Sequence, residues 1–97
     1  MTEQANDLYL PEDLGIAAVA ALHEELRARV DAGQATRLVA AEVGRVDGAG
    51  LQLLAAFARE CERRGQPLAW DGPSEALHRA ARLLGLESVL HLPAQTS

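Results

Sequence analysis

Three times in 97 residues a short apolar run gives way to a stretch with helical spacing, and each stretch stops on a glycine: Gly33, Gly65 and Gly85. Glycine takes the left-handed conformation that closes a helix without steric cost. The order strand, helix, strand, helix, strand, helix leaves few folds open. It predicts an α/β domain with a mostly parallel sheet, covered by helices and joined by right-handed connections.

Leu8-Tyr9-Leu10 is the first strand candidate, closed by Pro11, which cannot donate to a ladder. Ile16 to about Val30 reads as a helix with Ile16, Val19, Leu22, Leu26 and Val30 facing inward. Arg37-Leu38-Val39-Ala40-Ala41 is a short apolar run, the pattern of a strand buried on both faces. Val43 and Val46 carry the apolar character on toward Asp47. A second helix spans about Ala49 to Arg64, with Leu51, Leu54, Phe57, Ala58 and Cys61 inward. Gln52, Ala56, Arg59 and Arg63 lie on its opposite face. Pro67 to Trp70 is the next strand and Asp71-Gly72-Pro73 a turn. Ser74 caps a third helix to about Leu84, with Leu77, Ala80, Ala81 and Leu84 inward. Leu86 to Leu92 is an apolar tail, read as one more turn or an edge strand.

Length and charge narrow the function classes. The chain makes one domain over residues 1–97, with no repeat, linker or room for a second core. Its net charge is −5 and its aromatic content 3%. No basic stripe and no stacking platform is in view, which argues against nucleic acid and against an anionic membrane surface. One cysteine, Cys61, cannot form an internal disulfide, which suits a reducing compartment. The polar opening from Met1 to Asp7 carries no secretory pattern. No apolar run approaches the roughly 18 residues that span a bilayer. The expectation is a cytoplasmic protein with no membrane insertion.

The segment richest in information is Asp47-Gly48-Ala49-Gly50, between a buried run and a helix. In open α/β sheets, sites form beyond the carboxyl ends of strands. One reading is a strand-to-helix turn with Asp47 as N-cap. Another is a glycine cradle for an anion at the helix N-terminus, although neither the Lys-Ser/Thr of a P-loop nor a third glycine is present. No catalytic set, metal-ligand spacing or cofactor motif emerges. His23, His78 and His91 are scattered, and Cys61 falls on an inward helix face as a core thiol. Ser74 is accounted for by capping and Ser97 by the terminus; no nucleophile elbow exists. Trp70 reads as an anchor at a strand end, its indole N–H bonded at the rim, or as a contact residue for a partner.

Taken together, these residues resemble the STAS domain family, shared by sulphate transporters and anti-sigma-factor antagonists. The likeness is carried by Arg45-Val46-Asp47-Gly48-Ala49-Gly50-Leu51-Gln52-Leu53-Leu54, by Arg63-Arg64-Gly65, by Leu68-Ala69-Trp70, and by Ser74-Glu75-Ala76-Leu77 running to Leu83-Leu84-Gly85-Leu86. The resemblance implies a mixed, mostly parallel sheet of about four strands with helices packed on one side. It also implies a protein-interaction module and not an enzyme. In antagonists of the family, a hydroxyl residue just before the motif's final glycine is phosphorylated, placing roughly −2 charge on a docking surface. Here that position is Ala49, preceded by Gly48, and neither carries a hydroxyl. The acidic residue that relatives often place near the end of the preceding strand is replaced by Val39. Most relatives have a full hairpin before Leu8, where Met1 to Asp7 barely allows one strand.

The expectation is therefore a regulatory module that docks a cytoplasmic signalling partner through Asp47, Gly48, Ala49 and Gly50 and the Gln52, Arg59 and Arg63 face. The partner would be a kinase, an anti-sigma-like factor or a chemotaxis protein. An alternative, also from the resemblance, is the STAS subunit of an ABC-type phospholipid transport complex, touching its ATPase subunit. A third places a small anion at the glycine turn. A sheet edge left exposed near Leu8 would allow a homodimer.

Overall fold

In a computed structural model that describes residues 7–93, β1 (Asp7–Tyr9), β3 (Thr36–Val39) and β5 (Leu68–Asp71) form one sheet in the order β1-β3-β5. Both pairings are parallel. Leu8 stands opposite Leu38, and Leu38 opposite Trp70. A second, two-stranded sheet joins β2 (Asp13–Leu14) to β4 (Arg45–Val46), also in parallel. The expected α/β, mostly parallel architecture holds, with its strands divided three and two between sheets. Residues 1–6 and 94–97 lie outside the description, and with them the expectation for the segment before Leu8 and the reading of Ser97.

Successive strand residues point to opposite faces. Leu8, Thr36 and Leu38 are buried beneath the helices, while Tyr9, Arg37 and Ala69 are exposed on the other face. The expectation that residues 37–41 are buried on both faces is corrected here. The helices cover one face only, so Arg37 turns outward. It forms a two-pronged bond to Asp7, 2.9 Å at both contacts, and lies 3.3 Å from Asp71. Arg37 is thereby tied across all three strands.

The helices are α1 (Ile16–Ala32), α2 (Gly48–Arg64), α3 (Glu75–Leu84) and the single turn α4 (Glu87–Leu90). The first three close on Gly33, Gly65 and Gly85, each at φ 70°. This is the left-handed backbone that the sequence assigns to those glycines. Leu22, Leu26 and Val30 of α1 pack with Leu51, Leu54 and Phe57 of α2 and Leu77 of α3 in one core. A fully buried leucine contributes roughly 2 kcal/mol. Two assignments to the inward faces are corrected: Ile16 is 75% exposed and Leu84 49%. Both sit at a helix end, where the spacing still holds but no neighbouring element covers the side chain. The apolar tail resolves as α4, and the Trp70 indole N–H donates to the Leu90 carbonyl at 2.9 Å. That bond matches the strand-end anchor read from the sequence.

Candidate functional site

Strands that run in parallel deliver every following helix from the same edge of the sheet. At that edge the starts of α1, α2 and α3 line one groove, through Gly15, Asp47 and Ala76. Of the turn, Asp47 lines this groove, after Arg45 and Val46 of β4.

Asp47 is extended (φ −108°, ψ 176°) and caps α2, its Oδ1 accepting from the Gly50 backbone N–H at 3.1 Å. The capping reading of the turn is therefore the observed one. Its other oxygen has a partner far away in sequence: Oδ2 accepts from the Ile16 N–H, also at 3.1 Å. Gly15, the residue that opens α1, supplies no side-chain cap of its own. One carboxylate thus satisfies a backbone donor at the start of each of two helices. The Gly50 amide, one that an anion cradle would use, is already taken by this carboxylate.

The two glycines of the turn have different reasons. A Cβ on Gly50 would stand 2.3 Å from the Leu14 carbonyl oxygen, so α2 approaches β2 more closely than any side chain permits. A Cβ on Gly48 would meet nothing within 4 Å. Gly48 is exposed and Ala49 half-buried. The motif is thus a rigid platform with one sterically unclaimed position.

Along α2, Gln52, Ala56, Arg59 and Arg63 are all exposed on one face, as the spacing predicts. Arg63 and Arg64 both bind Glu60, and hold its carboxyl below the ordinary glutamate range. The structure thus puts the turn and the helix face in continuity, with Arg63 already engaged by its neighbour.

Two apolar residues at this edge escaped the sequence reading. Leu83 is 78% exposed and lines the groove with Ala76 and Ala80, together with Arg45 and Arg79. Ile16, bonded through its amide to Asp47, is almost equally exposed. Leu83 shares its face of α3 with Ala76, Arg79 and Ala80, a mixture that marks neither a core stripe nor a solvated face. For Ile16 no local signal exists, because its partner is 31 residues away.

The remaining chemistry-bearing side chains stand apart from the turn. Cys61 is buried, and burial pushes its thiol up. His23 is exposed, His78 is buried on α3, and His91 lies 3.3 Å from Glu62. Among the described residues no group of three or more His, Cys, Asp or Glu could hold a metal ion, and no helix is long and apolar enough to cross a membrane.

A protein-family model described as "Mlab, STAS domain" matches residues 1–92. No match was found among curated proteins.

Proposed function

The chain belongs to the STAS domain family, and on that premise we propose that it is a non-catalytic regulatory module that docks a cytoplasmic signalling partner through Asp47 to Gly50 and the Gln52, Arg59 and Arg63 face. STAS domains in general are protein-interaction modules, which sets the class. The observation that carries the specific reading is the turn itself. It is held by the Asp47 hydrogen bonds and the close packing of Gly50, and it leaves Gly48 exposed and Ala49 half-buried. A surface that is rigid before contact loses less entropy on binding.

With Gly48 and Ala49 in the family's phosphoacceptor positions, this module works as a permanently unphosphorylated form. Incubation with ATP and the kinases of its source cells, followed by mass spectrometry, is expected to leave this loop unmodified. Stoichiometric phosphate on residues 47–50 would overturn that part of the reading.

The second reading, a STAS subunit bound to the ATPase of a lipid-transport complex, is favoured by the sequence likeness, and the description of the matching family model carries the Mlab name. Cross-linking in the source cells, then purification with this chain as bait, separates the two. An anti-sigma-like or kinase-like partner supports the first reading and an ATP-binding subunit the second. No partner captured at the turn or the α2 face would overturn both.

A further inference from the structure

We propose that the cleft between α3 and α4 binds a small zwitterion of the α-amino-acid type, with its carboxylate on Arg82 and its ammonium on Glu87. The site is independent of the docking reading. It uses the face of α3 that carries His78 and Arg82, whereas the groove beside Asp47 uses Ala76, Ala80 and Leu83. Three observations carry the assignment. At about 680 Å³ the cleft falls within the range of roughly 300–1,000 Å³ that ligand sites occupy. His78 lines it while only 5% exposed, and its imidazole has no hydrogen-bond partner among the described residues. Arg82 and Glu87 line the same cleft, yet neither forms an ion pair with the other or with any described residue.

Those unpaired charges stand out because Arg37, Arg45, Arg63, Arg64 and Arg79 all pair with acids. Each charge suits its helix end, Arg82 in the last turn of α3 and Glu87 in the first turn of α4. That accounts for the charges one at a time. It does not account for a buried imidazole left without a partner beside them, since buried polar groups are normally hydrogen-bonded. The two charges also select the ligand. A simple anion would meet Glu87 as well as Arg82, and a simple cation the reverse. A molecule carrying both groups satisfies both residues, with the guanidinium fork matched to a carboxylate. His91 is already engaged, 3.3 Å from Glu62, so it forms wall and not contact. Leu92 adds apolar surface for the side chain of the ligand.

The test titrates the purified full chain with the standard L-amino acids, first in pools and then singly, and follows it by NMR. Binding is expected to move the His78 ring signals and the Arg82 and Glu87 amides, and to leave the Asp47 turn unmoved. The N-acetyl and methyl-ester forms of the amino acid that binds each lack one charge. Both are expected to bind about tenfold more weakly. Arg82→Gln is expected to bind the ester as well as the free acid, and Glu87→Gln the N-acetyl form as well as the free amine. Both side chains are exposed, so neither substitution takes packing from the core.

No binding by any amino acid overturns the inference, as does binding that moves signals outside the cleft and not the His78 ring. An N-acetyl or ester form that binds the parent chain as tightly as the free amino acid overturns the zwitterion. A preference for the free acid that survives Arg82→Gln, or for the free amine that survives Glu87→Gln, shows that these two charges do not hold the ligand. None of these results bears on docking at Asp47, which the cross-linking above tests separately.

Discussion

Gly48 and Gly50 are two residues apart, yet they answer to different forces. Gly50 is required because the Leu14 carbonyl oxygen occupies the space its side chain would fill, at 2.3 Å. Gly50→Ala is expected to cost about 3 kcal/mol, read as a lower denaturant midpoint, since backbone on both sides must shift. Gly48→Ala has nothing to collide with and sits in the first turn of α2. It is expected to be neutral or to stabilise by roughly 0.5 kcal/mol in the same measurement, through reduced freedom of the unfolded chain. Thr36 offers a third contrast. Its hydroxyl is buried in β3 with no hydrogen-bond partner among the described residues, in a residue only 3% exposed. Replacing an unsatisfied buried hydroxyl with a methyl of the same shape removes its desolvation penalty, and β-branched valine suits a strand. Thr36→Val is expected to raise stability by about 1 kcal/mol, seen as a higher melting temperature.

Among the elements, β1 joins its ladder to several polar side-chain contacts. Among the described residues it is an edge strand, three residues long, and Asp7 binds Arg37 while its carbonyl accepts from the Arg29 guanidinium at 2.9 Å. The Arg37 guanidinium holds the Asp7 carboxyl below the ordinary aspartate value, with Arg29 adding to the effect. A carboxyl lowered in the folded state contributes stability that is fully present above its unfolded value. That stability is lost as pH falls through the folded value. Melting temperature is therefore expected to decline as pH drops below about 4, and Asp7→Asn to flatten that decline. A slope unchanged by Asp7→Asn would assign the acid sensitivity to other carboxyls. At the other edge, α4 is one turn long and is tied to β5 by the Trp70 indole. Trp70→Phe keeps most of the apolar contact and removes the bond. It is expected to cost about 1 kcal/mol and to speed amide exchange in α4 ahead of α2.

At the scale of the whole molecule, the helices were legible from the sequence because 3.6-residue spacing and a glycine stop reinforce one another over ten residues or more. The β2–β4 pair was not legible, since two-residue strands are too short to show alternation. β3 misled because Arg37-Leu38-Val39-Ala40 looks uniformly apolar after its first residue. Its true alternation shows only once Arg37 is seen bound to acids from both neighbouring strands. The Asp47 turn was legible as a cap and as a family motif, whereas its hold on α1 depends on folding across 31 residues. Ile16 and Leu83 were hidden for the same reason, as exposure belongs to the assembled surface. Since neither supports the core, Ile16→Asp and Leu83→Asp together are expected to leave the denaturant midpoint within about 0.5 kcal/mol of the parent. A larger loss would return these side chains to the structural account.

Parallel strands have a geographical consequence. The starts of α1, α2 and α3 gather at one edge, so the turns at Gly33 and Gly65 fall at the other, where α1 and α2 end and β3 and β5 begin. If the partner docks at the Asp47 turn as proposed, the first edge is a working pole and the Gly33 turn marks an idle one. On that reading, the loop at Gly33 can lengthen, accept a tag or drift in sequence without disturbing the proposed surface. A probe that must leave the partner undisturbed belongs beside Gly33, since Gly65 follows directly on the Arg63 end of the proposed face.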